Sequence, residues 1–264
     1  YATPDRPRLS NNGEVSDDGR WLIVYSSEGT DARYEITLID LAQPSAEPRR
    51  IVTGFEHDWT YLGNEGEFFY WQTNNGAPRQ RIVAMDIENP TRMEHAADDP
   101  PGVHTLIGVP QLTEIVPQDE ATLVNASIVG QRIVAEYLVD AKSEVRLFGL
   151  DERRARTVAL PGIGDVSGFS GDMESSETFY SFASFNRAPT VYRYDSATNS
   201  STVFAQPELP FDPARFEVRQ VFYNSKDGTR VPMFLIHRRG LDTSRPQPTL
   251  LYGYGGFNAA ELPR

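Results

Sequence analysis

The sequence predicts a mainly β fold built from a repeated unit, followed by the opening strands of a second, different domain. Three observations predict it. Short runs rich in β-branched and aromatic residues recur at a regular spacing from Trp21 to Asp195. The repetition stops at the proline-rich stretch Pro207-Glu208-Leu209-Pro210-Phe211-Asp212-Pro213. A hairpin signal and then a continuous apolar run follow it.

Four segments read as first strands: Trp21–Tyr25, Phe68–Trp71, Ile133–Tyr137 and Phe179–Phe182. Each is followed by a second strand that ends near an aspartate, at Asp40, Asp86, Asp151 and Asp195. Entries to the first strands fall at Gly19, Gly66, Gly130 and Glu177, in steps of 47, 64 and 47 residues. The aspartates step by 46, 65 and 44. The two marks agree, with one insertion of about seventeen residues in the third unit, expected as a loop around His95 to Gln118. A period near 45 residues with several short strands per unit is that of a β-propeller blade, whose faces are buried only by stacked neighbours. About four blades are visible; an unrelated β-sandwich with even strand spacing is the alternative.

Beyond the prolines, Phe216–Tyr223 and Val231–His237 alternate around an Asp227-Gly228 turn, which predicts a hairpin. Thr249–Tyr252 is a near-continuous apolar run, as in a strand buried on both faces. It leads into Tyr252-Gly253-Tyr254-Gly255-Gly256-Phe257-Asn258, the composition of a loop whose backbone turns sharply beside a ligand. The division expected is 1–210 for the propeller portion and 211–264 for the first strands of an α/β domain.

Composition narrows the function. A net charge of −12 opposes phosphate-backbone and anionic-membrane binding and fits either solubility or a peptide channel of negative field. With no cysteine, disulfides and thiolate metal sites are excluded. No run of eighteen apolar residues is present, and the start lacks the pattern of a signal peptide. The expectation is a soluble protein, cytoplasmic or periplasmic, with no cofactor, no metal and no nucleic-acid or membrane partner. The four histidines, His57, His95, His104 and His237, form no motif. Gly168-Phe169-Ser170-Gly171 has the wrong spacing for a Gly-x-Ser-x-Gly nucleophile elbow and reads as a turn.

Ser225–Phe234 followed by Leu251–Asn258 closely resembles the prolyl oligopeptidase family of serine peptidases. Ser16-Asp17-Asp18-Gly19-Arg20 and Ser184-Phe185 resemble that family's propeller, so the likeness covers nearly the whole chain in consistent order. The Tyr-Gly-Tyr-Gly-Gly-Phe-Asn run is specific; the oligopeptidase B branch usually departs from Gly-Phe there. The resemblance implies a seven-bladed propeller capping an α/β-hydrolase domain, of which this chain holds the later blades and the first hydrolase strands. It implies that Tyr254 donates a hydrogen bond to the oxyanion and that Phe257 forms the S1 wall on which a substrate proline stacks. Thr30 and Ser10 fall where family members place propeller residues near the substrate. Core packing is the alternative for Tyr254 and for Phe257. The triad Ser, Asp and His is expected after Arg264, so the chain reads as part of a longer, monomeric enzyme acting on short proline-containing peptides. A non-catalytic propeller scaffold is the alternative, and a propeller glycosidase a distant third.

Overall fold

A computed structural model of the chain describes residues 1–29, 33–43, 45–90, 92–95, 106–151, 154–257 and 259–264, with backbone alone at 93–95. It divides into two compact units, Tyr1–Ile128 with Leu150–Arg153, and Val129–Gly149 with Arg154–Arg264.

In the first unit, β1 (Leu9–Val15), β2 (Trp21–Glu28), β3 (Glu35–Asp40) and β4 (Arg49–Val52) pair in order as an antiparallel meander. The second sheet begins with β5 (Trp59–Glu65), β6 (Phe68–Thr73) and β7 (Arg81–Asp86). The chain then leaves it for a hairpin of β8 (Arg92–His95) and β9 (Leu106–Val109), and β10 (Gln111–Val116) returns to pair with β7. The excursion joins the first sheet: β9 pairs in parallel with β4, Arg49 opposite Leu106 and Arg50 opposite Ile107. The insertion expected as a loop in the third unit is therefore a hairpin within the second, and its last part supplies the second sheet's fourth strand. Strands of four residues carry too few positions to show a period, and the open edge of β4 accepts them.

The third sheet has the strand order β11 (Thr122–Ile128), β12 (Arg132–Val139), β13 (Lys142–Gly149), β14 (Arg156–Thr157), and the division between the units falls inside it. The fourth orders β15 (Asp165–Gly168), β16 (Glu177–Ser184), β17 (Arg187–Asp195) and β18 (Ser200–Ala205). A 3₁₀ turn at Pro213–Arg215, capped by Asp212, leads to the hairpin of β19 (Phe216–Asn224) and β20 (Arg230–Arg238), paired from Phe216 opposite Arg238 to Asn224 opposite Arg230.

The strand pairs read from the sequence are thus the second and third strands, in chain order, of the first four sheets. Apolar side chains alternate along them. Trp21 and Ile23, Ile36 and Leu38, Phe69 and Trp71, Val83 and Met85 meet in one core between the first two sheets. Edge-to-face contacts order its rings, Trp21 against Phe69 at 5.9 Å and Trp59 against Trp71 at 6.2 Å. In the second unit Val134, Val145, Leu147, Val166, Phe169, Tyr180, Phe182 and Tyr194 form the equivalent core, with Phe169 stacked on Tyr180 at 4.4 Å.

The recurring aspartates have a local cause. Asp40 accepts the Ala42 N–H at 2.9 Å, and Asp86 accepts those of Glu88 and Asn89 at 3.0 and 3.2 Å. Asp195 accepts those of Ala197 and Thr198 at 2.8 and 3.3 Å. A short carboxylate that bonds the backbone two residues on folds the turn that takes the chain out of the strand. At Asp86 and Asp195 these bonds hold the carboxyl below the ordinary carboxylate range, led by the Asn89 side chain at Asp86 and by the Ala197 N–H at Asp195.

One expected element is not formed. Thr249–Tyr252 is not a strand, and Leu250, Leu251 and Tyr252 are 91, 84 and 76% exposed. A strand buried on both faces exists only where neighbours pair with it and layers cover it, and the described residues bring neither to this run. Among them there is no α-helix, so no α/β layer is present beside the β19–β20 hairpin.

Trp71 is fully buried and touches Trp59, Tyr61 and Phe69, and its indole N–H has no hydrogen-bond partner among the described residues. Trp71→Ala is expected to lower unfolding free energy by about 3–5 kcal/mol in urea titrations. Trp71→Phe, which keeps a ring and removes the unpaired donor, is expected to cost much less.

Candidate functional site

The β19–β20 hairpin fixes the start of the segment that carries the candidate loop. Its turn closes through Ser225 Oγ on Asp227 Oδ1, the Thr229 N–H on the same oxygen at 3.0 Å, and Gly228 at φ +85°. Ser16-Asp17-Asp18-Gly19-Arg20 uses the same device, with Ser16 Oγ on Asp18 Oδ1 at 2.5 Å and the Arg20 N–H on it at 3.0 Å. Ser225 and then Thr229 hold the Asp227 carboxyl down to about 2. Within its unit the hairpin is tied down at both ends. Gln220 Nε2 donates to the Asp140 carbonyl at 2.5 Å, Arg230 pairs with Asp140 at 3.6 Å, and Asn186 Nδ2 donates to the Phe216 carbonyl at 3.1 Å. Phe185 packs against Phe234 at 5.6 Å, which gives the Ser184-Phe185 pair a role in seating the hairpin.

The loop itself is open. Gly255 lies at φ +72°, where a side chain would strain the backbone, and the Tyr254 ring folds over Gly256 so closely that a Cβ there would stand 3.2 Å from it. The Ala259 N–H donates to the Gly256 carbonyl at 2.9 Å and closes one turn. Tyr254 is 56% exposed and Phe257 98% exposed, so neither packs in a core. The loop brings Tyr254 and Phe257 together on a short stretch of backbone. Ser10 lies exposed on β1 opposite Ser27, in the other unit, and Thr30 lies outside the described residues.

A groove of about 380 Å³ lies between the fourth sheet and the hairpin, lined by Phe182, Ser184, Arg187, Glu217, Arg219 and Arg239 among others. Its charge is organised around Glu217, which pairs with His237 at 3.3 Å and Arg239 at 4.0 Å. Sequence reasoning missed it because its arginines, Arg187, Arg219 and Arg239, are dispersed along the chain and share no motif. Ser170, in the rejected elbow, is exposed in irregular backbone just after β15, beside the buried ring of Phe169, so the run is not the expected turn. His104 lies outside the described residues, and His57 and His237 belong to different units. Among the described residues no group of His, Asp and Glu is placed to hold a metal, and no helix is long and apolar enough to cross a membrane.

Residues 1–207 match the family described as prolyl oligopeptidase, N-terminal beta-propeller domain. Over 97% of its length the chain is 31% identical to the prolyl endopeptidase of Elizabethkingia meningoseptica, covering 34% of that protein. A solved structure from a study of two prolyl endopeptidases superimposes with TM-score 0.80 at 36% identity, over 100% of this chain and 36% of the other. The ligand-free prolyl oligopeptidase B of Galerina marginata shares the fold at TM-score 0.76 and 22% identity, over 91% and 33% of the two chains. The chain spans about a third of the length of these relatives.

The exposure of the loop has a direct consequence. Brief chymotrypsin treatment is expected to cut first after Tyr252, Tyr254 or Phe257, leaving the β-sheets intact by mass spectrometry. First cuts within the buried β16 or β17 would contradict this placement.

Proposed function

The chain belongs to the prolyl oligopeptidase family, and from that membership we propose that it is part of a serine endopeptidase cleaving short peptides on the C-terminal side of proline. The observation that carries the reading is the reach of the likeness. It extends over 97% of the chain, well past the propeller match at residue 207, in relatives named prolyl endopeptidase. We divide the chain at 210/211, into propeller blades and the first strands of an α/β-hydrolase catalytic domain. The break in the repeat at Pro207–Pro213 and the separate two-stranded sheet after it support that division.

The chemistry assigned to this chain is electrostatic and steric. When a serine attacks the carbonyl of the substrate proline, negative charge develops on the carbonyl oxygen, and a preorganised donor aimed at it lowers the barrier. The Tyr254 phenol, an O–H donor at neutral pH, fills that role together with the backbone N–H after the nucleophile. Gly255 and Gly256 let the backbone turn beneath the phenol. Phe257 offers a flat apolar face to the pyrrolidine ring of the substrate, and Ser10 and Thr30 contact the peptide from the propeller side. The propeller limits access by size. Nucleophile, base and acid come from residues outside this sequence, through an acyl-enzyme. The protein is assigned as a monomer without cofactor.

In the longer polypeptide, Tyr254→Phe is expected to lower kcat on a blocked Gly-Pro chromogenic substrate by about 10²–10³, with little change in KM. An unchanged kcat would remove Tyr254 from the oxyanion site. The 264-residue chain alone is expected to hydrolyse nothing; turnover abolished by a fluorophosphonate would contradict the assignment of the triad, and binding without cleavage by the longer polypeptide would favour a scaffold role.

A further inference from the structure

The side chains that join the third sheet to the fourth carry an unusual hydrogen-bond count. Glu136 on β12 is 8% exposed. Its Oε1 stands 3.2 Å from the Oγ of Ser143 on β13, and Oδ1 of Asp165 on β15 stands 3.3 Å from the same hydroxyl. The Val166 N–H donates to that hydroxyl at 3.1 Å, and the Ser143 N–H donates to the Gly164 carbonyl at 3.0 Å. One serine therefore fastens the start of β15 to the β12–β13 hairpin.

A serine hydroxyl has one hydrogen and two lone pairs. One lone pair takes the Val166 N–H, and the hydrogen serves one carboxylate. The contact to the other carboxyl is attractive only if that group brings its own proton. Asp165 is the carboxylate with a cationic partner: Arg264 lies 3.7 Å from its outer oxygen. Glu136 has no cation in ion-pair distance among the described residues. The other charged groups on its hairpin are Arg132, Asp140, Lys142, Glu144 and Arg146; Arg146 is tied to Glu144 at 2.8 Å, and Asp140 faces Arg230.

We propose that Glu136, Ser143 and Asp165 share one proton, carried by Glu136, and form a pH-sensitive latch between β13 and β15. Burial is the main force raising the Glu136 carboxyl to about 7; the Ser143 hydrogen bond works against it and the charge on Asp165 adds to it. When the seam opens, Glu136 meets water and returns to an ordinary value near 4.5. The open state then holds fewer protons than the closed one between those two values. The latch is therefore fully effective below 4.5, weakens as pH rises through 7, and changes no further above it.

This device is independent of the peptidase reading, and its test needs only the chain itself. Glu136→Gln keeps a donor to Ser143 Oγ and removes the titration. Exchange of the Val166 amide with solvent deuterium is measured in both proteins. The ratio of wild-type to variant rates is taken at each pH, so that the intrinsic pH dependence of exchange cancels. The ratio is expected to rise about thirtyfold from pH 5.5 to pH 8. A flat ratio overturns the proposal. The carboxyl ¹³C resonance of Glu136 in the unaltered chain gives a second reading that needs no variant: a midpoint near neutrality is expected, and one near 4.5 overturns it.

Discussion

The fold rests on one constraint: the inner strands β2, β3, β6, β7 and β12 are buried along most of their length on both faces, and one sheet cannot supply that burial for itself. Strands β6 and β7 are buried along almost their whole length, and β12 through its centre. Each sheet therefore needs another packed against it, which makes the repeat a structural requirement and a sequence regularity at once. The turns are subordinate to it. Aspartates at Asp40, Asp86 and Asp195 bond the backbone just beyond them and turn the chain out of an inner strand. A Ser-x-Asp-Gly turn performs the same service at the entry to β2 and again between β19 and β20.

What was legible follows from this division of labour. Middle strands must be apolar and β-branched or aromatic, so Trp21–Tyr25 and Ile133–Tyr137 stand out in the sequence, and so do Asp40, Asp86 and Asp195. Edge strands answer to no such demand. Leu-Ser-Asn-Asn-Gly-Glu-Val forms β1 almost wholly exposed, and β14 is two residues long. The β8–β9 hairpin was hidden for the same reason, because its place is set by the free edge of β4. Thr249–Tyr252 shows the opposite error: an apolar run satisfies the pattern of a buried strand, but pairing is supplied by neighbours and not by the run itself.

The candidate site divides in the same way. The spacing of Tyr254, Gly255, Gly256 and Phe257 states local geometry, which the backbone confirms in a left-handed glycine and a ring folded over its neighbour. The surroundings of that loop depend on residues distant in sequence. Glu136 was within reach of a closer reading, since an acid inside Ile133–Val139 breaks an otherwise apolar stretch. Its partners, Ser143 and Asp165, converge only through the packing of β13 on β15.

The central claim is that this propeller-bearing chain delivers an oxyanion donor and a proline-stacking wall to a serine nucleophile outside the sequence. The most direct measurement is a crystal structure of the longer polypeptide with a peptide aldehyde ending in proline, whose adduct with the serine mimics the tetrahedral intermediate. The account predicts the Tyr254 hydroxyl at about 2.7–3.1 Å from the adduct oxygen and the Phe257 ring against the proline. An adduct oxygen held by other donors, with Tyr254 turned away from it, would contradict the account.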